Sequence, residues 1–339
     1  MDADHHRSVN PRSPLDVDRQ AEMLANRVRK RLRHLAPRFA RRRIEVFRLY
    51  DWDIPEIRAV VDWYAGHLVV GEYMRRQSST EWLPAMGRAV ARALEVPEDR
   101  LHLKARYAGK RDGVRYERVA HTERKITVAE RDFRFRVNPW DFVDTGLFAD
   151  HRDTRQMVRE MAAGKDLLNL YAYTATFACY AARGGARGTV SVDRSESVVQ
   201  WARENFALNG LDPQANVLIH ADAFDFLRRA RRQDRRFDLA VVDPPSYSTT
   251  RGRNLSFDIL ADHPRLLAAV IALMRPGGTI LFSTNHQGFE ARFEGLAVAS
   301  IEEITDATIP EDYVRNRSPI HRCWRMALAA DERGQAQTQ

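Results

Sequence analysis

The chain is poor in cysteine and has no long apolar run. Its two cysteines, Cys179 and Cys323, stand far apart and in no C-x-x-C pattern, which excludes a disulfide framework and a cysteine zinc site and predicts two reduced thiols. No stretch approaches the roughly 20 apolar residues of a membrane span. The opening MDADHHRSVNPRSPLDVDR has no apolar core, so residues 1–18 read as a polar, disordered leader and not as a secretory signal, with the cytoplasm as the expected compartment. Also missing is the G-x-G-x-x-G that lets a backbone approach a pyrophosphate, which disfavours a dinucleotide. Gly164-Lys165 lacks the rest of a phosphate loop and reads as a turn.

What is present is a globular composition, 44% hydrophobic and 29% charged over 339 residues, long enough for two domains. The net charge of +8 is clustered. Residues 27–43 carry nine Arg and Lys and no acid, with Val28, Leu32, Leu35 and Phe39 at helical spacing, which predicts an amphipathic basic helix kinked at Pro37. Residues 104–136 set eleven Lys and Arg against five acids, with Tyr107 and Tyr116 interleaved and Gly109 and Gly113 marking a hairpin tip. Solvated faces of an Arg-rich protein would look the same, so charge alone leaves nucleic-acid binding as one of two readings.

Short β-branched and aromatic runs at 44–53, 56–73 and 101–107, a helix near 80–94 and a charged hairpin over 113–138 predict a small basic α+β domain spanning 19–138. From Asp166 apolar strands alternate with helices: 166–172, 188–193, 216–221, 237–243 and 278–284. That alternation predicts a parallel sheet covered on both faces. A helical stretch at 289–299 and two strands near 301–308 and 321–328, paired as an edge hairpin, complete a domain over 139–330, and 331–339 form a frayed tail. The fold class expected is α/β: a class I, Rossmann-like doubly wound sheet with a C-terminal edge hairpin, a methyltransferase-like strand count, preceded by a small basic α+β domain.

In such a sheet ligands bind beyond the carboxyl ends of the strands. The first strand ends in Asn169, Tyr171, Tyr173, Thr174 and Ala175, the second in Asp193, Arg194 and Ser195, and the third in Asp222, Ala223 and Phe224. A carboxylate at Asp193 can accept from both ribose hydroxyls, and one at Asp222 from an adenine amino group. A ribose ligand without a pyrophosphate fits S-adenosylmethionine. Either acid could instead cap the helix it precedes.

The fourth strand ends in Asp243-Pro244-Pro245-Ser246-Tyr247. The prolines stiffen a turn and leave carbonyls without a local donor, Asp243 and those carbonyls can accept from a base's amino groups, and Tyr247 offers a face for a splayed-out base. Methylation at cytosine C5 needs a thiolate that adds to C6 first, and no cysteine lies in this motif or after the fifth strand. Guanine N7 has an in-plane lone pair and no proton, so alignment alone can supply the rate enhancement.

At these residues the sequence resembles the RlmK/RlmI family of bacterial 23S rRNA methyltransferases, and within it the guanine-N7 RlmK module of the fused RlmK/L enzyme. The resemblance covers about 24–328 and rests on FRLYDWDIPE (47–56), VNPWDFVDTGLFADHRDTR (137–155), LLNLYAYTAT (167–176), the run from Val192 to Leu211, VVDPPSYS (241–248) and YVRNRSPIHRCW (313–324). It implies N7-methylation of one guanine near the peptidyl-transferase region, with 23S rRNA or a large-subunit precursor as partner and no metal. It further implies donor contacts from Phe148, Asp150 and Arg152. Two departures stand out. The family's glycine after Tyr-Thr is Ala175 here, whose Cβ is expected to narrow the approach to the methionine end of the donor. The THUMP and N2-guanine halves of the fused enzyme are not represented, so RNA contacts are expected from Arg41, Arg42, Arg43, Lys110 and Arg111, with Asn285 near the target; Arg315 and Arg317, in the closing segment with His321, either contact RNA or line the target pocket, or serve the hairpin structurally. Rival readings are a cytosine-C5 or exocyclic-amine RNA methyltransferase and a non-catalytic rRNA-binding assembly factor. Oligomeric state is not specified by the sequence.

Overall fold

A computed structural model describes residues 14–74, 78–107, 120–249 and 256–330. The basic segment forms one helix, α1 (Pro14–Arg41), which continues through Pro37. It starts inside the expected leader and ends just short of the expected boundary. Leu24, Val28, Leu35 and Phe39 are buried along one side of α1, and the charged residues face outward as the helical period requires.

The run 56–73 is two strands. Ala65 and Gly66 both take positive φ, the geometry of a tight two-residue hairpin turn, and divide it into β2 (Ala59–Tyr64) and β3 (His67–Met74). With β1 (Val46–Asp51) and β4 (Leu101–Tyr107) they make a four-stranded sheet in the order β1-β2-β3-β4. The β3-β4 pair is parallel, and its crossover is α2 (Trp82–Ala93), which packs against α1. The hairpin expected over 113–138 is narrower, β5 (Ile126–Glu130) with β6 (Phe133–Val137). Its expected tip at Gly109 and Gly113 lies outside the described residues.

The second half contains the doubly wound sheet. Parallel β7 (Asp166–Leu170), β8 (Gly188–Asp193), β9 (Asn216–His220), β10 (Phe237–Val242) and β13 (Met274–Thr284) match the five expected strands, and β13 begins earlier than its apolar run. Between them lie α4 (Thr176–Arg183), α5 (Glu196–Leu208), α6 (Ala223–Arg232) and α7 (Ile259–Ile271), with α3 (Arg152–Met161) leading into β7. A short ribbon, β11 (Tyr247–Thr249) with β12 (Ser256–Asp258), follows β10. With β14 (Ser300–Glu303) and β15 (Arg322–Ala327) the sheet order is β14-β15-β13-β10-β7-β8-β9, so strand order reverses between β7 and β10, where this fold opens its ligand crevice.

The closing hairpin is confirmed as antiparallel β14 (Ser300–Glu303) and β15 (Arg322–Ala327), with β15 also antiparallel to β13. Two expectations here are corrected. Residues 289–299 form no helix, and instead Phe289, Phe293 and Trp324 gather in loop-to-strand contacts around Phe282. The strand expected to 308 stops at Glu303 because Thr305–Thr308 turn into a short helix, α8; Thr308 Oγ1 donates to the Thr305 carbonyl (2.7 Å).

The two halves share one core. Val46, Tyr64, Val69, Phe133 and Phe135 pack in the same apolar cluster as Leu167, Tyr180, Leu239 and Leu281. Charges cross the boundary too. Arg155 makes a bidentate pair with Glu130 (2.9 and 2.8 Å), to which Tyr180 also donates. The Asp312 carboxylate accepts from the Arg48 amide (3.0 Å).

Candidate active site

The loop after β7 carries the most unusual backbone in the crevice. Tyr171, Tyr173 and Ala175 all have positive φ, at 55°, 49° and 56°, a region that costs a residue with a Cβ roughly 1–2 kcal/mol. Surrounding bonds hold it there. Tyr173 N–H donates to Asp193 Oδ2 (2.9 Å), Thr174 Oγ1 to the Gly146 carbonyl (2.7 Å), Tyr173 Oη to the Asp144 carbonyl (3.2 Å) and Asn205 Nδ2 to the Thr174 carbonyl (3.0 Å). Gly146 is required at its place: at φ +105°, a Cβ there would lie 2.2 Å from the Trp201 ring.

Asp193 ends β8 with both oxygens engaged, Oδ1 by Ser195 N–H and Oδ2 by Tyr173 N–H (both 2.9 Å). Amide donors on each oxygen fix the carboxylate plane, and a carboxylate oxygen, with two lone pairs, can accept a second donor beside the first. Asp222, at the next strand end, is the N-cap of α6 and accepts from Phe224 N–H and Asp225 N–H through Oδ1. The capping role expected of such an acid therefore holds. Its charge is felt by Tyr171, whose hydroxyl pKa is pushed up by burial and then by Asp222. Tyr171 and Phe224 both approach Phe257 (5.8 and 6.4 Å between rings), giving an aromatic wall, with Arg265 over Phe224. Phe148 lies against Tyr173 at 4.9 Å. Arg194 is exposed beside Asp193, and Ala223 is buried in the first turn of α6.

Beyond β10, Asp243 Oδ1 accepts from Ser283 Oγ (2.8 Å), and Ser246 donates to Asn285 Oδ1 (2.9 Å). The end of β13 thus braces the double-proline corner from the side, and Asn285 does belong to it. Pro244 and Pro245 are buried. The Tyr247 side chain lies outside the described residues, as do Lys110 and Arg111.

Several expected contacts are placed elsewhere. Arg152 is closed to solvent, paired with Asp312 and donating to the Val46 carbonyl (3.0 Å), so its guanidinium ties the halves together and is not presented to a donor. Asn169 is buried within the sheet, where its amide donates to Ser191 Oγ (3.3 Å). Ala175 is fully buried in the apolar core, so its Cβ does not narrow the crevice; the missing glycine is felt as backbone strain. Arg315 is buried beside Asp51 (3.8 Å), burial lowering its pKa, which makes it a structural cation. Arg317 pairs with Asp51 and covers the Trp52 ring, partly exposed. Arg41, Arg42 and Arg43 are exposed, although Arg42 pairs with Glu311 (2.9 Å).

Sequence reasoning missed His151. It is buried with its ring stacked on His321 (4.2 Å between centroids), and its Nε2 lies 3.7 Å from Asp243 Oδ2 and 3.9 Å from Asp150 Oδ2. Burial, then His321, pushes its pKa down to about 4, against the pull of Asp243 and Asp150. Asp150 contacts His321 Nδ1 at 3.2 Å; burial alone would raise its pKa, but His151 and His321 hold it well below the usual range. The one signal in the sequence was adjacency to Asp150.

A reversed-order crevice, a carboxylate held by amides at the second strand end and a D-P-P corner at the fourth define a nucleoside-binding transferase site on a class I sheet. The chain belongs to the S-adenosylmethionine-dependent methyltransferase family, which matches residues 51–300. It is an S-adenosylmethionine-dependent methyltransferase. A chain described as an S-adenosylmethionine-dependent methyltransferase from Streptococcus mutans shares the fold at TM-score 0.74 and 21% identity, over 94% of this chain and 83% of that one. One described as the methyltransferase SMU.776, complexed with S-adenosylhomocysteine, gives 0.73 with the same identity and coverage. A methyltransferase from Agrobacterium tumefaciens gives 0.56 at 17% identity, over 79% of this chain and 87% of that one. The residues fit the donor: Asp193 offers fixed acceptors for a ribose diol, and the Tyr171–Phe257–Phe224 wall offers apolar surface for a purine.

Proposed function

We propose that this enzyme methylates a guanine of 23S rRNA at N7, near the peptidyl-transferase region, with Asp193 and Asp222 holding the adenosine end of the donor and Asp243, Pro244 and Pro245 the target base. The observation that carries the choice of atom is the state of the thiols. Cys179 and Cys323 are both fully buried, and burial pushes Cys179 up to about 12 and raises Cys323 as well. Neither can serve as the thiolate that C5 chemistry requires, which supports a nitrogen target.

Bound S-adenosylmethionine supplies an electrophilic methyl group on sulfonium. The chain's own task is then alignment. Asp243, fixed by Ser283, can accept from the guanine N1–H and amino group, and the buried prolines keep the corner from yielding as the base enters. N7 needs no proton removed, so the site requires no general base and the rate enhancement comes from holding an in-line approach. The exposed Arg41 and Arg43 at the end of α1 fit phosphate contacts that position without reading sequence. Nucleoside mapping of 23S rRNA from a deletion strain tests the reading. Loss of one 7-methylguanosine, restored by the intact gene, is the expected result; loss of a methyl on an exocyclic amine, or no loss, overturns it.

A further inference from the structure

We infer that Arg315, Arg317 and Arg58, gathered about Trp52, form a phosphate clamp that holds the RNA strand beside the target nucleotide, which rests on the reading that RNA is the substrate.

The cations here outnumber the acceptors. Asp62 engages both oxygens with Arg48 (2.8 and 3.0 Å), and Asp51 accepts from Arg48 through Oδ2 (2.6 Å) and from Arg317 through Oδ1. Three guanidinia thus share two carboxylates, and Arg315 is the one left over. Its ion contact with Asp51 is 3.8 Å long, beyond hydrogen-bonding range. The side chain is only 7% exposed, and its Nε is shut off from solvent with no acceptor among the described residues. Buried polar atoms ordinarily have a partner, and a buried charge needs one of opposite sign. A cluster with one positive charge in excess is completed by an anion.

The neighbouring guanidinia are set up for phosphate. Arg58 and Arg317 both lie over the Trp52 ring, 4.2 and 4.6 Å from its centroid. Trp52 is itself fixed at φ 53°, its N–H donating to the Ala59 carbonyl and its Nε1 to the Pro55 carbonyl (both 3.0 Å). A guanidinium stacked on a ring is already oriented, and its planar fork matches two phosphate oxygens. Arg317 keeps 33% of its side chain exposed, so a phosphate can reach the cluster from solvent. The location favours a polymer over a free ion. Ser318 donates to Gln287 Oε1 and Gln287 Nε2 to the Pro319 carbonyl (3.3 Å), while Ser246 of the double-proline corner donates to Asn285, two residues before Gln287. The clamp is therefore joined to the target corner through one short loop. On its other side Glu311 pairs with Arg38 of α1 and with Arg42 just beyond it (2.7 and 2.9 Å). Cationic side chains thus lead from the basic helix to the corner, a course suited to a strand with one base turned into the crevice.

The test titrates the full chain with a peptidyl-transferase-region fragment of 23S rRNA, and follows its melting in inorganic phosphate against chloride of equal ionic strength. Arg315→Met and Arg317→Gln should each weaken the fragment about ten-fold or more. Together they should flatten the slope of log affinity against log salt by at least about 0.7, the value of one phosphate contact. Phosphate should raise the melting temperature of the native chain beyond chloride, and the gain should vanish in Arg315→Met. Should Arg315→Met fail to fold, Arg317→Lys, which keeps the charge and loses the stacked fork, should still weaken the fragment several-fold. Variants that bind the fragment as tightly as the native chain, with the same salt slope, overturn the clamp and leave the RNA reading standing. A native chain that binds no RNA brings down both. A phosphate effect lost in Arg315→Met with RNA affinity unchanged would assign the cluster to a free phosphate ligand, and one that survives Arg315→Met would place the phosphate elsewhere; either overturns the clamp.

Discussion

Arg152 and Asp312 lie 160 positions apart and form an ion pair shut off from water, with side-chain exposures of 1% and 0%. The pair sits where the two halves meet: Arg152 also donates to Val46 of β1 and covers the Phe39 ring of α1, and Asp312 also accepts from Arg48. Taking one partner away leaves a buried charge uncompensated, at a cost of about 3–5 kcal/mol. Arg152→Met and Asp312→Asn should each lower urea stability by that order. The double variant should lose much less than the sum, and additive losses would show that the pair acts through something other than mutual charge compensation.

Asp193 is the residue on which donor binding is expected to depend most. Each oxygen already accepts a backbone N–H, so Asp193→Asn would press an amide NH2 against one of those donors, and Asp193→Ala removes the acceptors altogether. Both should weaken S-adenosylmethionine by roughly 100-fold or more, the equivalent of two charge-assisted bonds, measured by calorimetry. Micromolar binding retained by Asp193→Ala would mean that the ribose is held elsewhere. A native chain that binds no donor would favour the assembly-factor reading.

Ala175 separates two ideas of what the missing glycine does. Ala175→Gly relieves a left-handed strain of roughly 1–2 kcal/mol, but it gives up about 0.8 kcal/mol of buried methyl and about 0.4–1 kcal/mol through the looser unfolded chain. These terms nearly cancel. Thermal unfolding should move by less than about 1 kcal/mol, and donor affinity by less than about two-fold, because the methyl group lies in the core. A large gain in affinity would restore the view that Cβ obstructs the crevice.

The contrast between what the sequence revealed and what it hid follows from the range of the interactions. The five parallel strands and the acids at their ends were legible because apolar runs and strand-end position are local properties. The closing of Arg152 and Arg315 into buried pairs, and the meeting of His151 with His321, join residues far apart in the chain, which no local pattern encodes. The left-handed loop after β7 was hidden for a similar reason, since Gly146, Asp193 and Asn205 hold it from other segments. The helix expected at 289–299 failed because its apolar residues are drawn onto the Phe282–Trp324 side of the sheet as an irregular loop, where packing outweighs propensity.

A chain without cysteine should keep its activity. Both thiols are buried, Cys179 in α4 and Cys323 in β15, so Cys179→Ala with Cys323→Ala removes two small packing groups at a cost of about 1–2 kcal/mol and no reacting atom. Methyl transfer to rRNA, followed with labelled donor below the melting temperature, should stay within a few-fold of the native rate. Complete loss in a folded double variant would reinstate a covalent thiol mechanism.

The exposed arginines at the end of α1 should act on RNA through charge alone. Arg42 is already neutralised in part by Glu311, whereas Arg41 and Arg43 are exposed without such a carboxylate among the described residues, so replacing Arg41 and Arg43 with glutamine should cost more affinity than replacing Arg42. Removing one phosphate interaction lowers the slope of log affinity against log salt by about 0.7–0.9, so the Arg41/Arg43 double variant should flatten it by roughly 1.5 and weaken unrelated RNAs as much as rRNA. An unchanged slope would remove this end of α1 from the RNA footprint. A weakening confined to one RNA sequence would mean that these side chains read bases and not the backbone.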